Sequence, residues 1–265
     1  MLIGFIGTGK ISQALIKGFI NAGISRVESI LSSAPQEDHE NHHKTREIGC
    51  RTTYKNLDIL KHSDVVVLAV KPPIVQTVLD EIRSTWTEKH LLISIVAGVK
   101  SKMIENNLPD RSKVIRVMSN TPVFVRQGAS VFALGEHAQK SDGDLVKKLF
   151  ESVGICEQVD ENSFDAVTAL SGSGPAYAYM FMEALADAGV RQGLSRDLSQ
   201  NLATHTILGA ARMVLETKKH PASLKDDVCS PSGCTINAIH HLEKIGFRSS
   251  LMDAIAVAYQ RLKNQ

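Results

Sequence analysis

The chain has 265 residues, 22% of them charged, and a formal net charge of +2, which is length enough for one large core or two ordinary ones. Lys and Arg nowhere cluster with interleaved aromatics, which argues against a nucleic-acid partner. The four cysteines, Cys50, Cys156, Cys229 and Cys234, show neither CxxC spacing nor a zinc-type pairing with His, so a reducing compartment and no metal are expected.

The first element is an apolar strand, Leu2 to Ile6, in MLIGFIG. It begins too early to leave room for a secretory leader, and no later apolar run approaches the roughly 20 residues of a membrane helix. A soluble, cytoplasmic protein with no membrane partner is expected. Further strands are predicted at Val27 to Leu31, Asp64 to Val70, His90 to Ala97, Lys113 to Met118 and Ser130 to Leu134, with amphipathic segments such as Ile74 to Trp86 between them. This alternation predicts βαβ units on a parallel sheet, and VVVLAV and LLISIVA have the continuous apolarity of strands covered on both faces.

The polar run Pro35 to Lys44 carries His39, His42 and His43. It lacks carboxylate and cysteine partners at ligand spacing and reads as a solvated loop or helix rather than a metal site. Beyond about residue 160 the strand signal stops. Helices are predicted at Ala176 to Gly189, Leu198 to Glu216, Thr235 to Lys244 and Ser249 to Lys263, so the expectation is an α/β Rossmann-type domain over residues 1–160 and an all-α domain over 161–265. The helix PAYAYMFMEALADAG is apolar around most of its circumference; about a hundred residues of helix can hardly bury it, which predicts a homodimer through the helical domains.

LIGFIGTGKISQALIKGF places Gly7 and Gly9 between a strand and a helix, with Ser12 at the third position of the GxGxxG pattern. Gly7 suits the tight turn and Gly9 the close approach of a pyrophosphate to the helix N-terminus. At the end of the second strand, where an NAD enzyme usually carries an acid for the ribose 2′-hydroxyl, this chain has Ser32 and Ser33. With no acid to repel a 2′-phosphate, NADPH is expected and NADH possible, the serine hydroxyls serving as donors. The strand ends Ala69-Val70-Lys71-Pro72, Val96-Ala97-Gly98 and Met118-Ser119-Asn120-Thr121-Pro122 would complete the cofactor edge, Asn120 offering an amide to ribose or nicotinamide.

Two stretches in the helical part share one design: Ser171-Gly172-Ser173-Gly174-Pro175, and Ser230-Pro231-Ser232-Gly233-Cys234-Thr235. Each presents hydroxyls and free N–H groups at a helix start, either as plain caps or as a seat for a substrate carboxylate. Between Ala166 and Asp187 there is no Lys or His, which counts against alcohol oxidation, since that needs a base. A cyclic imine can arrive protonated and take hydride with only a hydroxyl beside its nitrogen, and Thr235 is the candidate. Cys229 and Cys234 offer a second reading of the same loop, as an oxidation-sensitive thiol pair.

"DAVTALSGSGPAYAYMFMEALADAGV", "LGAARMVLETKKHPASLKDDVCSPSGCTI", "GFIGTGKISQALIKGF", "LAVKPPIV" and "RVMSNTPVFVRQGASV" closely resemble the pyrroline-5-carboxylate reductase family, over essentially the whole chain. The resemblance implies hydride transfer from NAD(P)H to the imine carbon of 1-pyrroline-5-carboxylate, giving L-proline, by a homodimer that can assemble further, to a decamer for example. It carries the cofactor onto Gly7, Thr8, Gly9, Lys10, Ile11, Ser12, Ser33, Asn56, Ala69, Val70, Lys71, Pro72, Ala97 and Asn120. It carries the substrate onto Ser171, Ser230, Gly233, Cys234 and Thr235, with Thr235 catalytic and its loop approaching the nicotinamide of the neighbouring subunit. Cys234, Ser119 and Ser12 depart from the residues more usual in the family. The rival readings are a reductase of another cyclic imine and a catalytically silent NADP-binding redox sensor.

Overall fold

The computed structural model describes residues 1–264. Its eight strands are β1 (Ile3–Ile6), β2 (Ile30–Ser33), β3 (Arg51–Thr53), β4 (Val65–Leu68), β5 (Leu91–Ser94), β6 (Lys113–Met118), β7 (Gly128–Leu134) and β8 (Gly154–Gln158). They form one sheet in the order β3-β2-β1-β4-β5-β6-β7-β8. All neighbours run parallel except β6 and β7, which are antiparallel. The predicted first-domain strands are therefore present with shifted ends, Val27 to Ser29 being a 3-10 turn; β3 and β8, both at sheet edges, were not anticipated.

The connecting helices are α1 (Lys10–Asn21), α2 (His39–Glu47), α3 (Asn56–His62), α4 (Val75–Ile82), α5 (Ser101–Asn107), α6 (Lys140–Glu151) and α7 (Phe164–Val167), the last running into a π-helical turn at Thr168–Gly172. Successive residues of a strand face opposite sides, and here both sides are filled. Val65 and Val67 of β4 join Phe5, Leu15, Phe19 and Phe150 in one core, whereas Val66 and Leu68 join Ile6, Ile59, Val75 and Leu79 in the other. The continuous apolarity of VVVL is thus the signature of a strand roofed twice. The His-rich run forms α2, and His42 is buried rather than solvated, its Nε2 3.0 Å from the Ala34 carbonyl oxygen and its ring edge-on to Tyr54.

A half-buried ion pair locks the end of this sheet. Arg116 of β6 donates to Glu161 at 3.0 Å and lies over the Phe164 ring at 4.4 Å. Glu161 also accepts from the N–H and hydroxyl of Ser101, at 2.8 and 2.6 Å, at the start of α5. Burial alone would push the Glu161 carboxyl up, but the Ser101 and Arg116 donors together outweigh it and hold the carboxyl below its ordinary range. A group depressed in the folded state adds stability above its unfolded pKa and loses it as pH falls through the folded one. The thermal midpoint is therefore expected to drop on acidification below about pH 4. Glu161→Gln should lower the midpoint at neutral pH, because it strands Arg116 without a partner, and flatten that acid limb; melting curves across the range check both.

The chain divides into two units, Met1–Gly172 with the chain from Leu262 onward, and Ser173–Arg261. The second is helical: α8 (Gly174–Arg191), α9 (Arg196–Thr217), α10 (Pro221–Asp227), α11 (Cys234–Lys244) and α12 (Phe247–Lys263). The four predicted helices are here, each starting one or two residues earlier and two of them, α8 and α9, ending one or two later, and α10 is additional. α8 follows the proline rule, with Pro175 in its first turn. Its apolar circumference is only partly covered among the described residues: Ala186 is buried, but Tyr179, Met180, Phe181 and Leu185 are exposed, Met180 by 74%. No helix among the described residues is long and apolar enough to cross a membrane.

Candidate functional site: a nucleotide edge and a helix-start loop

The strand order reverses between β1 and β4: β2 and β3 lie to one side, β5 and β6 to the other. In open α/β sheets ligands bind outside the carboxyl ends of the strands at such a point. Those ends are stitched together, since Gly7 donates to the Ser33 carbonyl at 2.8 Å, Ala69 to Ile6 at 2.9 Å and Ile95 to Leu68 at 3.0 Å. Gly7, Ser33, Ala69 and Val70 thus meet at one edge, with Lys71, Pro72 and Ala97 exposed on the loops that leave it.

The two glycines of the loop do different things. Gly7 has φ of +112°, and a Cβ there would lie 2.5 Å from the Ala69 carbonyl oxygen, so the residue is demanded by the fold. At Gly9, φ is −65° and a Cβ would meet nothing within 4 Å; the space beside it is open. Gly9 caps α1 without any side-chain hydrogen bond, and the first turn carries no acid, which leaves the N–H groups around Lys10, Ile11 and Ser12 available to an anion. Thr8 Oγ1 and Ser12 Oγ are buried with no hydrogen-bond partner among the described residues. Unpartnered buried hydroxyls beside an open cradle at a helix start fit a bound dinucleotide phosphate. Gln13, which sequence reasoning passed over, braces the loop: its Nε2 donates to the Thr8 carbonyl at 2.8 Å and to Asn41 of α2 at 3.1 Å. Its position one turn into α1 was the available signal.

Three predicted cofactor residues spend their polar atoms on the protein. Ser32 and Ser33 were expected to present hydroxyls to a 2′-phosphate, but both are fully buried, because β2 is covered on both faces. Ser33 donates to Asn56 Oδ1 at 2.7 Å, and Asn56 Nδ2 donates to Glu81 at 2.7 Å. Ser32 Oγ has no partner among the described residues. Asn120 accepts from the Ala129 N–H at 2.9 Å and donates to the Ser171 carbonyl at 3.0 Å. Ser119 shares a 2.7 Å hydrogen bond with Ser130, which stitches the exit of β6 to β7.

In the helical unit, Ser230 to Gly233 form a turn closed by the Gly233 N–H on the Ser230 carbonyl at 3.1 Å, with Ser232 left-handed at φ of +60°. A Cβ on Gly233 would fall 2.4 Å from Ser230 Oγ, so a larger residue there would make the Ser230 side chain turn away. Gly233 caps α11 with no side-chain hydrogen bond, and Cys234 and Thr235 occupy the first turn. Cys234 is exposed and Thr235 half-buried, and the Thr235 hydroxyl makes no hydrogen bond among the described residues. Lys225 precedes this loop and donates to the Asp226 carboxylate at 2.7 Å, a contact that raises its pKa. Ser171 lies in the other unit, its hydroxyl donating to the Val167 carbonyl at 3.2 Å.

The four thiols differ in kind. Burial, then the Glu28 charge, raises Cys50 to about 11; burial, then Glu151, raises Cys156 to about 12. These two are packing residues, whereas Cys229 is half-buried and Cys234 exposed. Among the described residues no three His, Cys, Asp or Glu group so as to hold a metal ion.

A parallel sheet with an uncapped glycine loop at its switch point, joined to a helical unit, defines a dinucleotide-dependent oxidoreductase. Comparison with known proteins agrees. Residues 161–265 match the pyrroline-5-carboxylate reductase dimerisation family, and residues 2–98 the family of NADP oxidoreductases described as coenzyme F420-dependent. Pyrroline-5-carboxylate reductase 2 of Rattus norvegicus is 46% identical over 99% of this chain and 83% of its own length, and the Glycine max pyrroline-5-carboxylate reductase 44% over 98% and 94%. Among solved structures, the Coxiella burnetii pyrroline-5-carboxylate reductase superposes with a TM-score of 0.91 at 35% identity, covering 99% of this chain and 97% of that one. The Plasmodium falciparum pyrroline carboxylate reductase with NADP bound gives 0.88 at 34%, covering 100% and 97%. The chain belongs to the pyrroline-5-carboxylate reductase family.

Proposed function

We propose that this protein reduces 1-pyrroline-5-carboxylate to L-proline with NAD(P)H, and that the work is divided between the glycine loop of the sheet and the loop that opens α11. The observation that carries this reading is the full-length identity of 44–47% to pyrroline-5-carboxylate reductases. NADPH, when bound, supplies the hydride that the imine carbon takes up. The chain's own part begins at the free N–H groups of Gly9 to Ser12, which hold the pyrophosphate, while Ala69 to Pro72 and Ala97 border the rest of the dinucleotide.

The substrate carboxylate is held by backbone N–H groups at Gly233, Cys234 and Thr235, and Ser230 and Ser171 are assigned to substrate binding as well. The Thr235 hydroxyl donates to the imine nitrogen, holding its proton and aiming the ring. No lysine or histidine is required, because the imine nitrogen carries its proton on arrival. The exposed apolar face of α8 supports a homodimer in which the α11 loop of one subunit serves the dinucleotide of its partner; further assembly and a cytoplasmic location complete the reading.

The test is turnover by purified protein: NADPH or NADH with racemic 1-pyrroline-5-carboxylate, followed by loss of nicotinamide absorbance and by product analysis, with a piperideine carboxylate as the rival imine. Proline formation at the higher rate is expected. Faster turnover of the piperideine would make this a reductase of another imine, and NADPH binding without any turnover would make it a silent sensor.

A further inference from the structure

The carbonyl of Ser171 has an acceptor to satisfy and no helical donor to satisfy it. Ser171 is the fourth residue of the π-helical turn Thr168–Gly172; the residue four positions on, the donor of a continuing α-helix, is Pro175, which has no N–H, and the N–H five positions on, that of Ala176, donates instead to the Ser173 carbonyl at 3.0 Å. Asn120 supplies the missing donor from 51 residues away, through Nδ2 at 3.0 Å. Its other end is equally committed, since Oδ1 accepts from Ala129 at the start of β7. Arg116, on β6 just upstream, fixes the opposite end of the same segment through Glu161 and Phe164. β6 and its exit thus hold residues 161–172 at both ends.

We propose that Asn120 is a positioning residue for the substrate loop, acting through the Ser171 carbonyl, and not a contact to the cofactor. A peptide unit is planar, so fixing one carbonyl fixes the orientation of the adjoining peptide. Asn120 therefore sets the course on which the chain enters the Ser171–Gly174 loop. The loop stays bent out of the helix because Pro175 withholds a donor and Asn120 provides a substitute. This assignment rests on the reading of that loop as part of the substrate site.

The test is Asn120→Asp, which keeps an acceptor for the Ala129 N–H but replaces the donor to Ser171 with a carboxylate. The value of kcat/KM for 1-pyrroline-5-carboxylate is expected to fall roughly tenfold, as for loss of a hydrogen bond that also leaves a carbonyl unsatisfied. The NADPH dissociation constant, read by fluorescence on the same protein, should stay within about twofold of wild type. An equal loss of NADPH affinity would overturn the proposal in favour of a cofactor contact, and so would an unchanged kcat/KM.

Pro175→Ala provides a second arm if the aspartate variant folds poorly, since it restores an N–H four residues beyond Ser171. In a cycle with Asn120→Ala, the double variant should lose less than the sum of the singles, both in kcat/KM and in thermal midpoint. Simple additivity would overturn the proposal. A wild-type protein with no activity on 1-pyrroline-5-carboxylate would refute the substrate instead, and the cycle in thermal midpoints would still decide whether Asn120 and Pro175 act on one carbonyl.

Discussion

Valine at position 9 is expected to abolish NADPH binding while leaving the fold and its thermal midpoint nearly unchanged. Gly9 sits at φ of −65° and ψ of 175°, a conformation open to any residue, and a Cβ built there meets no protein atom within 4 Å. A side chain at that point therefore projects into the open cradle at the start of α1, and its effect on stability should stay within the roughly 0.5 kcal/mol typical of substitutions that disturb no contact. What it occupies is the approach of the pyrophosphate to the helix N-terminus. Fluorescence titration should show no saturable NADPH binding, and differential scanning a near-native melt. Gly7 provides the contrast: with φ of +112° and the Ala69 carbonyl 2.5 Å from any Cβ, its replacement should damage the sheet edge itself. A Gly9→Val protein that bound NADPH as wild type does would remove this loop from the cofactor site.

Thr235→Ala is expected to lower kcat by about 10², the usual consequence of deleting one well-placed donor to a transition state. Because the Thr235 hydroxyl makes no hydrogen bond within the described chain, and the cap of α11 is provided by Gly233 without side-chain help, the fold and NADPH affinity should be preserved. Thr235→Ser, which retains the hydroxyl, should recover most of the rate. Steady-state kinetics with 1-pyrroline-5-carboxylate on the three proteins decide the matter: an alanine variant with wild-type kcat would leave the imine nitrogen to be served by another donor, and the half-buried hydroxyl with no chemical part.

Much of this architecture is written in local pattern. The strands β1, β4, β5 and β6 announce themselves as apolar β-branched runs because both their faces are roofed. The glycine loop is legible because strand, tight turn and helix start are adjacent in the chain. The helices α8, α9, α11 and α12 follow from periodicity and from Pro, Gly or Ser at their starts. The excess apolarity of α8 is also visible in sequence, since a helix that is apolar around most of its circumference states that something must cover it.

What stayed hidden is whatever depends on partners distant along the chain. β3 and β8 are short edge strands whose pairing is supplied by β2 and β7, and the reversal of β7 against β6 has no local signature. The burial of His42 depends on a carbonyl and a ring brought from outside α2. Most of all, side-chain commitments were unreadable. Sequence offered Ser33 and Asn120 as free polar groups at the strand ends and the family resemblance added Asn56, but Ser33 is bonded to Asn56, Asn56 to Glu81, and Asn120 to Ala129 and Ser171. Composition and spacing determine which residue types arrive at the edge of a sheet, because period and turn chemistry are local. Which of their donors and acceptors remain available is decided by tertiary structure, because every buried polar atom must be satisfied by whatever the fold brings beside it.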